Sequence, residues 1–465
     1  MTATRNQRQE VAPSQIFGPR LRATTGGILV LITLIAFEGL AVAAALPTAA
    51  RELNAIGAIG WAFTAFLVCN VVGMVIAGQM CDRFGAAIPL LIGLACFVAG
   101  LLVAGTATSM TQLVAGRGSQ GIGSGILITA IYVVLGEAYP DALRPKIFAA
   151  MSSAWVLPSL VGPLVAGSLA EHASWRWVFL GLLPFVLVGA GLLLPVLRRL
   201  PRHRATGSPL ADPRRIVQAV AVALGIASFQ AAGQHPSAAS IAAGALGVAA
   251  LIWGLRTLLP PGTVTVRRGV SAPIAMRGLL AGAFFGVDAL VPLTLTVQHG
   301  YGAVAAGLPL VASGVTWAAG SWWQGRDRHV DSNRVGLIRS GFGFVAAAAV
   351  TTALAAQPAV PGWLMYVAWG IAGIGAGLAM SSIGVLLLRY TNDADRGTDS
   401  ASLQLSDAVS SALTAGLGGV LVAAAARGVL GYTTAFTVLD LAMAGIALVG
   451  VALAGRSAAA SPRPT

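Results

Sequence analysis

The chain has 465 residues, of which 56% are hydrophobic and 10% are charged, and its formal net charge is +13. Soluble domains carry about 25% charged residues, so the composition excludes an ordinary soluble protein and predicts an integral membrane protein. Because the basic residues collect in the predicted cytoplasmic loops, an anionic lipid bilayer accounts for the charge and no nucleic-acid partner is needed.

Apolar windows separated by turns and charges predict an all-α integral membrane fold with fourteen transmembrane helices. The first window is long enough to cross the ~30 Å hydrocarbon core of a bilayer at helical rise. The seventh and eighth windows are short and are separated by only a few residues. In chain order, the predicted spans are residues 25–47, 58–80, 88–106, 111–136, 145–170, 178–197, 214–233, 238–258, 272–296, 303–324, 336–356, 361–388, 399–425 and 433–455.

The basic residues predict the orientation of these spans. With the N-terminus in the cytoplasm, 25 of the 29 Lys and Arg residues lie in cytoplasmic segments or at the inner ends of spans. This asymmetry follows the positive-inside rule. We therefore expect cytoplasmic tails at both termini, over residues 1–24 and 456–465.

The two ends of the chain contain similar segments at an offset of 252 residues. RGSQGIGSG begins at Arg117 and WGIAGIGAG begins at Trp369. Parallel repeats of this kind build a midplane site between two halves in transporters. Further pairs at the same offset are Asp141 with Asp393, Arg144 with Arg396 and Gly167 with Gly419. The predicted 6 + 2 + 6 organisation has six-helix bundles at 25–197 and 272–455, with cytoplasmic loops and two inserted helices at 198–271.

Glu38 is the only ionisable residue between Thr25 and Pro47. A carboxylate in the hydrocarbon core costs several kcal/mol unless it is paired or protonated, so this position predicts a functional site. At helical rise, Glu38 and Arg117 lie about 14 Å and about 9 Å below the outer ends of their spans. We therefore expect the two side chains to meet, either in proton coupling or as a static ion pair.

Asp288 is the corresponding acid of the second half. It follows Glu38 by 250 residues, and Phe284 and Phe285 precede it on the same helical face. An acid beside aromatic rings suits a lipophilic cation, through charge and cation–π attraction. The alternative is that Asp288 pairs with a polar group on a neighbouring helix. Other residues inside spans that are candidates for lining a substrate cavity are Phe37, Trp155, Trp317 and Trp369.

The loop after the second span resembles a motif of the major facilitator superfamily. It reads GQMCDRFG from Gly78 to Gly85 and contains Asp82 and Arg83. We expect the glycines to let spans two and three approach, and Asp82 to lie at the start of span thirteen. The basic residues that usually follow the second glycine are replaced here by two alanines. An ordinary tight turn is the alternative.

Two further spans are similar to motifs of the same superfamily. In span four the matching residues are Arg117, Gln120 and Gly121, and in span five they are Gly162 and Pro163. The span-five motif is associated with exporters, where it is taken to shape a helix that closes the cavity to leak. The alternative is that Gly and Pro are simply frequent in membrane helices.

The first span is similar to a motif of the fourteen-span drug:proton antiporters, with Phe37-Glu38 followed by Ala45-Leu46-Pro47, and WRWVF at 175–179 also fits that group. The resemblance implies a monomeric, proton-coupled exporter of small hydrophobic or cationic compounds in a bacterial inner membrane. Because Glu38, Arg117 and Asp288 are ionisable residues inside predicted spans, we expect them to carry the proton coupling.

Two other functions stay open at this point. One is an importer or symporter with the same fold. The other is a membrane enzyme or haem protein, although the five histidines lie in predicted loops or at span ends and no Walker-type loop occurs. The three cysteines have no CxxC spacing, so neither a metal nor a cofactor is predicted. The substrate itself cannot be read from the sequence.

Overall fold

A computed structural model describes residues 16–55, 59–197, 212–234, 237–325 and 333–458. The predicted tail and loop residues at 1–15, 198–211 and 459–465 lie outside the described part. Within the described ranges the regular secondary structure is entirely helical. The helices are α1 Arg22–Glu52, α2 Ile59–Phe84, α3 Ala87–Gly105, α4 Met110–Ala138, α5 Arg144–Ser153, α6 Val156–His172, α7 Trp177–Leu180, α8 Leu183–Leu197, α9 Pro213–Gln234, α10 Ala238–Leu258, α11 Ser271–Asp288, α12 Val291–His299, α13 Ala303–Gln324, α14 Arg334–Ala355, α15 Leu364–Tyr390, α16 Arg396–Ala426 and α17 Tyr432–Leu453.

Every predicted span coincides with one helix or with two consecutive helices. In the described part of the chain, ten helical segments are long and apolar enough to cross a membrane. The remaining described helices are not both long and apolar enough, so the number of fourteen spans stays a prediction.

Spans five, six and nine are predicted as continuous, and this prediction is wrong. In each of these spans the helix is interrupted about four residues before a proline. The proline has no N–H to donate to the carbonyl of the residue four positions earlier. In span five, Pro158 frees the carbonyl of Ala154, which accepts the Thr33 hydroxyl at 3.3 Å instead. In span nine, Pro292 has no N–H for the carbonyl of Asp288, the last residue of α11.

The two halves of the bundle repeat the same packing. In the first half α4 packs against α2 and α3, and in the second half α15 packs against α13 and α14. Likewise α1 packs against α6 and α8, and α11 packs against α16 and α17. The order of contacts is the same in both halves, as expected for a duplicated unit.

Glycines set the register of this repeat. A side chain at Gly125 of α4 would collide with the Asn70 carbonyl of α2, and one at Gly377 of α15 would collide with the Trp317 carbonyl of α13. Small residues of this kind let membrane helices approach closely. Because the two glycines are 252 residues apart, α4 and α15 lie in the same register against their neighbours.

Two ion pairs repeat at the same offset. Arg144 Nη1 lies 2.5 Å from Asp141 Oδ1, and Arg396 pairs in the same way with Asp393. Arg144 begins α5 and Arg396 begins α16, so each pair marks the start of the equivalent helix.

The inserted helices α9 and α10 pack against each other, and α9 also packs against α2 and α16. A separate apolar cluster fills this contact. Its buried members are Val71, Val75, Ala219, Val222, Ala223, Ile226, Leu251, Leu258, Leu405 and Val409. The pair therefore lies against the seam between the two halves, where α2 meets α16.

Candidate functional site

Glu38 and Arg117 form a buried ion pair in the first half. Glu38 is fully buried on α1, and Arg117 on α4 is 2% exposed. Arg117 Nη1 donates to Glu38 Oε1, and also to Gln120 Oε1 at 3.0 Å. Removing one partner of such a pair costs about 3–5 kcal/mol, because the other charge stays buried. The sequence prediction that these two side chains meet agrees with this geometry.

Part of the hydrogen-bonding capacity of this pair is unused. The Arg117 guanidinium lies over the Phe66 ring, 4.3 Å from its centroid. In the part of the chain that the structure describes, Glu38 Oε2 and Gln120 Nε2 have no hydrogen-bond partner. Glu38 Oε2 is therefore an oxygen that can take up a proton while Oε1 stays bonded to Arg117.

The acid of the second half, Asp288, lies at an aromatic cluster. The Trp369 indole N–H donates to Asp288 Oδ1 at 2.6 Å. Phe284 stacks on Trp369 with ring centroids 5.3 Å apart, and Phe285 and Trp317 complete the cluster. Phe284 and Trp369 are buried, whereas Asp288, Phe285 and Trp317 are half-buried. The structure thus brings together the acid, its two predicted aromatic neighbours Phe284 and Phe285, and two of the tryptophans that are candidates for lining a cavity.

The other cavity candidates lie elsewhere. Phe37 is half-buried beside Glu38 on α1. Trp155, predicted to line the cavity, is 47% exposed at the break between α5 and α6 and is not among the rings of the Asp288 cluster. An apolar cleft of about 410 Å³ lies next to it, lined by Ser153, Val156, Leu157, Val315 and Ala318. The cleft therefore lies at the seam between α5–α6 and α13.

The span-five motif lies within α6. The helix continues through Gly162 and Pro163, and Gly162 is buried. The side chain of Pro163 lies outside the described part. α6 packs against α1 of its own half and α13 of the other half, so this segment is part of the seam between the halves.

Asp82 joins the two halves at the end of the bundle where α2 turns into α3, which we call the α2–α3 end. Its carboxylate accepts the backbone N–H groups of Gly397 at 2.6 Å and Thr398 at 2.9 Å, and the Thr398 hydroxyl at 2.5 Å. These groups form the free N-terminus of α16, where negative charge is favoured. The sequence predicts that Asp82 lies near residues 399–406, at the start of span thirteen. The observed partners, Gly397 and Thr398, come just before this range.

The expected role of Gly78 needs correction. Its nearest neighbours are Ala401 and the backbone of Gly397 on α16, so it brings α2 close to α16 and not to α3. Gly85 has φ +74°, a conformation that glycine adopts without strain, and it makes the turn between α2 and α3. The Arg83 guanidinium lies 5.4 Å from the ring centroid of its neighbour Phe84.

A second seam joins the halves at the same end. Gln324 Nε2 of α13 donates to the Pro145 carbonyl of α5 at 3.0 Å. The Ser321 hydroxyl donates to the Ser152 hydroxyl at 2.9 Å. These hydrogen bonds join α13 to α5, as the hydrogen bonds of Asp82 join α2 to α16. The bundle is therefore closed on both sides at the α2–α3 end.

Arg277 and Asp407 form an ion pair that the sequence reasoning missed. Arg277 Nε on α11 lies 2.6 Å from Asp407 Oδ2 on α16, and Arg277 also hydrogen-bonds Tyr132 on α4. Both charges fall inside predicted spans, and two opposite charges at such positions are a signal that could have revealed the pair. Because Tyr132 belongs to the first half, this contact also joins the halves.

At the opposite end, Glu52 joins α1 to α7. Arg176 Nη1 donates to Glu52 Oε1 at 2.5 Å, and the buried Trp175 donates to Oε2 at 2.8 Å. The hydrogen bond from Arg176 lowers the pKa of Glu52, so its charged form is favoured. Two residues of the WRWVF run thus hold the end of α1.

Residues 27–370 match the family model described as Major Facilitator Superfamily. The chain belongs to the major facilitator superfamily. Members of this superfamily carry small molecules across membranes, often together with protons, and the apolar helices make this member a multi-pass membrane protein.

The chain is also similar to named relatives and to solved structures. The multidrug efflux pump SdrM of Staphylococcus aureus is 32% identical over 171 residues, covering 37% of this chain and 38% of the relative. The chain thus matches less than half the length of this relative. The human organic anion transporter MFSD10 aligns with a TM-score of 0.68 at 15% identity, over 94% of this chain and 99% of MFSD10. The fucose:proton symporter FucP of E. coli aligns with a TM-score of 0.62 at 13% identity, over 94% and 99%. At these identities, the two structures show the shared fold alone.

Proposed function

We propose that this member of the superfamily is a multidrug efflux antiporter, in which proton entry drives the export of small hydrophobic or cationic compounds. The observation that carries the proposal is an acid within the helix bundle of each half: Glu38 bonded to Arg117, and Asp288 bonded to Trp369. Ionisable groups inside a membrane bundle are costly, and they commonly serve ion or proton movement. The name of the relative SdrM, a multidrug efflux pump, supports export as the direction.

Glu38, Arg117 and Asp288 are the proposed coupling residues. A protonated Glu38 no longer attracts Arg117 as a counter-ion, so its protonation state biases the contact between α1 and α4. Asp288 selects cationic compounds with Phe284, Phe285 and Trp369, while Phe37 and Trp155 border the path. Rocking of the two halves about the midplane alternates access. The contacts of Asp82, Gly78 and Gly397 close the α2–α3 end in one of the two states between which access alternates.

The proposed organisation has fourteen spans, with bundles at 25–197 and 272–455 and the inserted helices within 198–271. The position of α9 and α10 beside α2 and α16 supports such an insertion. We propose a monomer without a cofactor in a bacterial inner membrane, with both termini in the cytoplasm. In this orientation the α2–α3 end faces the cytoplasm and the state described here is closed towards it.

This orientation is tested by cysteine labelling. We expect Gly302→Cys to react with a membrane-impermeant maleimide on intact cells, because Gly302 lies between α12 and α13 at the outer end. Arg268→Cys, between α10 and α11, is expected to react only after permeabilisation. Labelling of Arg268→Cys on intact cells would contradict the orientation.

Export itself is tested with everted membrane vesicles whose membranes contain the protein. We expect a panel of lipophilic cations to accumulate inside the vesicles when the lumen is acidified, and the accumulation to collapse when the pH gradient is dissipated. Vesicles without the protein are the control. Accumulation that is unchanged by the gradient would rule out proton antiport.

An importer or symporter is the second candidate, and the name of the neighbour FucP, a fucose:proton symporter, favours it. The same vesicles distinguish the two functions. A symporter releases a preloaded compound when protons leave the lumen, whereas an antiporter takes the compound up.

A further inference from the structure

The loop between α10 and α11, residues 259–270, lies at the α2–α3 end of the second half. The Leu258 carbonyl, at the end of α10, accepts the hydroxyl of Ser402 near the start of α16 at 3.3 Å. Trp253 is exposed on α10, about 7.5 Å before the end of the helix, and Arg256 is exposed one turn later. Tryptophan is enriched where membrane helices cross the headgroup region. This places the last turn of α10 at the membrane interface, with the loop directly after it.

Hydrogen bonds hold this loop in one shape. The Ser271 hydroxyl donates to the Pro261 carbonyl at 3.0 Å, and the Arg267 N–H donates to the Gly262 carbonyl at 2.9 Å. Val266 is buried and has φ +51°, which is strained for a β-branched residue. Such strain persists only where the surroundings fix the backbone, and it is concentrated at sites that hold a ligand. The shape of the loop is therefore maintained against a local cost.

The shape of the loop turns one apolar and two basic side chains outward. Val264 is 86% exposed, whereas Val266, two residues later, is buried. Arg267 and Arg268 are exposed, and the Arg267 side chain lies over Gly262, in the space that a Cβ would fill. Apolar and basic side chains next to each other are typical of segments that lie in a membrane interface. The loop thus presents an apolar tip beside two guanidinium groups.

A further arginine adds to the positive charge at this loop. Arg456, from the segment after α17, donates to the Thr265 carbonyl at 2.6 Å. The chain has no Asp or Glu between Asp212 and Asp288, and none after Asp440. The segments that form this surface therefore supply arginines and no carboxylate. An anion from outside the chain complements them, and arginine binds phosphate oxygens particularly well.

The first half has a similar segment before its own first helix. The Thr25 hydroxyl donates to the Ile16 carbonyl at 2.5 Å, just as the hydroxyl that begins α11 binds a carbonyl ten residues earlier. Ile16 is buried, Phe17 is exposed, and the exposed residues Arg20 and Arg22 follow. A buried apolar anchor, an exposed apolar side chain and two exposed arginines thus occur at the same end of both halves. The arrangement belongs to the duplicated unit and not to one loop alone.

We propose that the loop 259–270 binds the headgroup of an anionic phospholipid. Val264 enters the apolar edge of the bilayer, while Arg267, Arg268 and Arg456 pair with the lipid phosphate. Arginine suits this role because its planar guanidinium offers two parallel N–H groups to phosphate oxygens. The proposal depends on the chain being a membrane protein and does not depend on the proposed export.

Fluorescence quenching by brominated lipids measures which lipid lies at the loop. The three cysteines are replaced by serine, bimane is attached at Val264→Cys, and the protein is placed in nanodiscs of dioleoyl phosphatidylglycerol and phosphatidylcholine in equal parts. We expect bromine on the phosphatidylglycerol chains to quench the label at least about twofold more than bromine on the phosphatidylcholine chains. The same label at Leu246→Cys, on an exposed position in the middle of α10, should be quenched equally by both lipids.

Matched arginine variants separate a lipid site from general surface charge. Arg267→Gln with Arg268→Gln should make the two lipids quench the label at Val264→Cys equally, because the phosphate partners are removed. Arg214→Gln with Arg215→Gln removes the same amount of charge at the start of α9, at the same end of the bundle, and should keep the preference for phosphatidylglycerol. All these positions are outside the core, and size-exclusion profiles check folding.

Other outcomes would overturn the proposal. Equal quenching by the two lipids at Val264→Cys would show that the loop has no preference for an anionic headgroup, and quenching by neither would place the tip in water. A preference that survives Arg267→Gln with Arg268→Gln, or one that the α9 variant removes as completely, would exclude a site at this loop. Loss of the preference in millimolar inorganic phosphate at constant ionic strength would assign the arginines to free phosphate. Because no substrate or gradient is used, these results leave the export test unaffected.

Discussion

Glu38→Gln is expected to abolish accumulation of lipophilic cations against a concentration gradient, while the protein still binds them at Asp288. Glutamine keeps the shape and an oxygen for the Arg117 bond, but it neither carries a charge nor exchanges a proton. Arg117 then remains buried without a counter-ion whatever the pH, so the contact between α1 and α4 no longer responds to protons. We expect pH-driven accumulation to fall at least about tenfold, which corresponds to about 1.4 kcal/mol.

A double variant separates coupling from a static ion pair. Arg117→Met alone leaves the Glu38 charge buried, at a cost of about 3–5 kcal/mol, and should lower the apparent melting temperature markedly. Glu38→Met with Arg117→Met replaces both charges by apolar groups, and should recover the melting temperature but not the pH-driven transport. A static pair predicts that the double variant recovers both. Full pH-driven transport by Glu38→Gln would likewise exclude Glu38 from coupling.

Gly397→Ala is expected to disrupt closure at the α2–α3 end. Its new methyl group would collide with the Gly78 carbonyl and the Asp82 carboxylate, and the backbone contact cannot be relieved by turning a side chain. Overpacking of this kind costs about 1–3 kcal/mol, which shifts a two-state equilibrium by about fivefold or more. We therefore expect transport to fall by at least about that factor, in a protein that still folds.

The buried thiol of Cys81 reports this closure, because it lies against Gly397 and is 2% exposed. With the other two cysteines replaced by serine, maleimide labelling of Cys81 should be faster in Gly397→Ala than in wild type. Gly419→Ala adds the same methyl group to the same helix at a position with no atom within 4 Å, and should change neither labelling nor transport. Asp82→Asn weakens the α16 cap and should act in the same direction as Gly397→Ala. Unchanged Cys81 labelling in Gly397→Ala would show that this contact does not control closure.

The helices and the intramembrane charges could be predicted because both depend on local sequence. Hydropathy and helical rise predict helices whose ends lie within a few residues of those in the structure, and depth counted along a helix places Glu38 within about 5 Å of the depth of Arg117. The repeat was readable as well, since Arg144 and Arg396 recur at the offset of the glycine segments. The three breaks before prolines were equally local, and the prediction of continuous spans overlooked them.

Partners across helices could not be predicted in the same way. The sequence predicts that Gly78 faces α3, whereas it faces α16. Arg277 lies near the end of a predicted span on α11, and it bonds Asp407 on α16 and Tyr132 on α4. Which neighbour a side chain meets depends on the rotation of its helix and on the helices packed beside it.

The sequence by itself determined the membrane class, the helices, the duplicated halves and the places of Glu38, Arg117 and Asp288. These follow from hydrophobic length, from spacing and from the cost of burying charge, all of which act along one segment at a time. Only the tertiary structure decided that Trp369 stands in the corresponding place at Asp288, that Arg277 pairs with Asp407 and that Asp82 accepts the N–H groups of Gly397 and Thr398. Those pairings join segments up to 316 residues apart, because close glycine contacts between helices set their register and rotation.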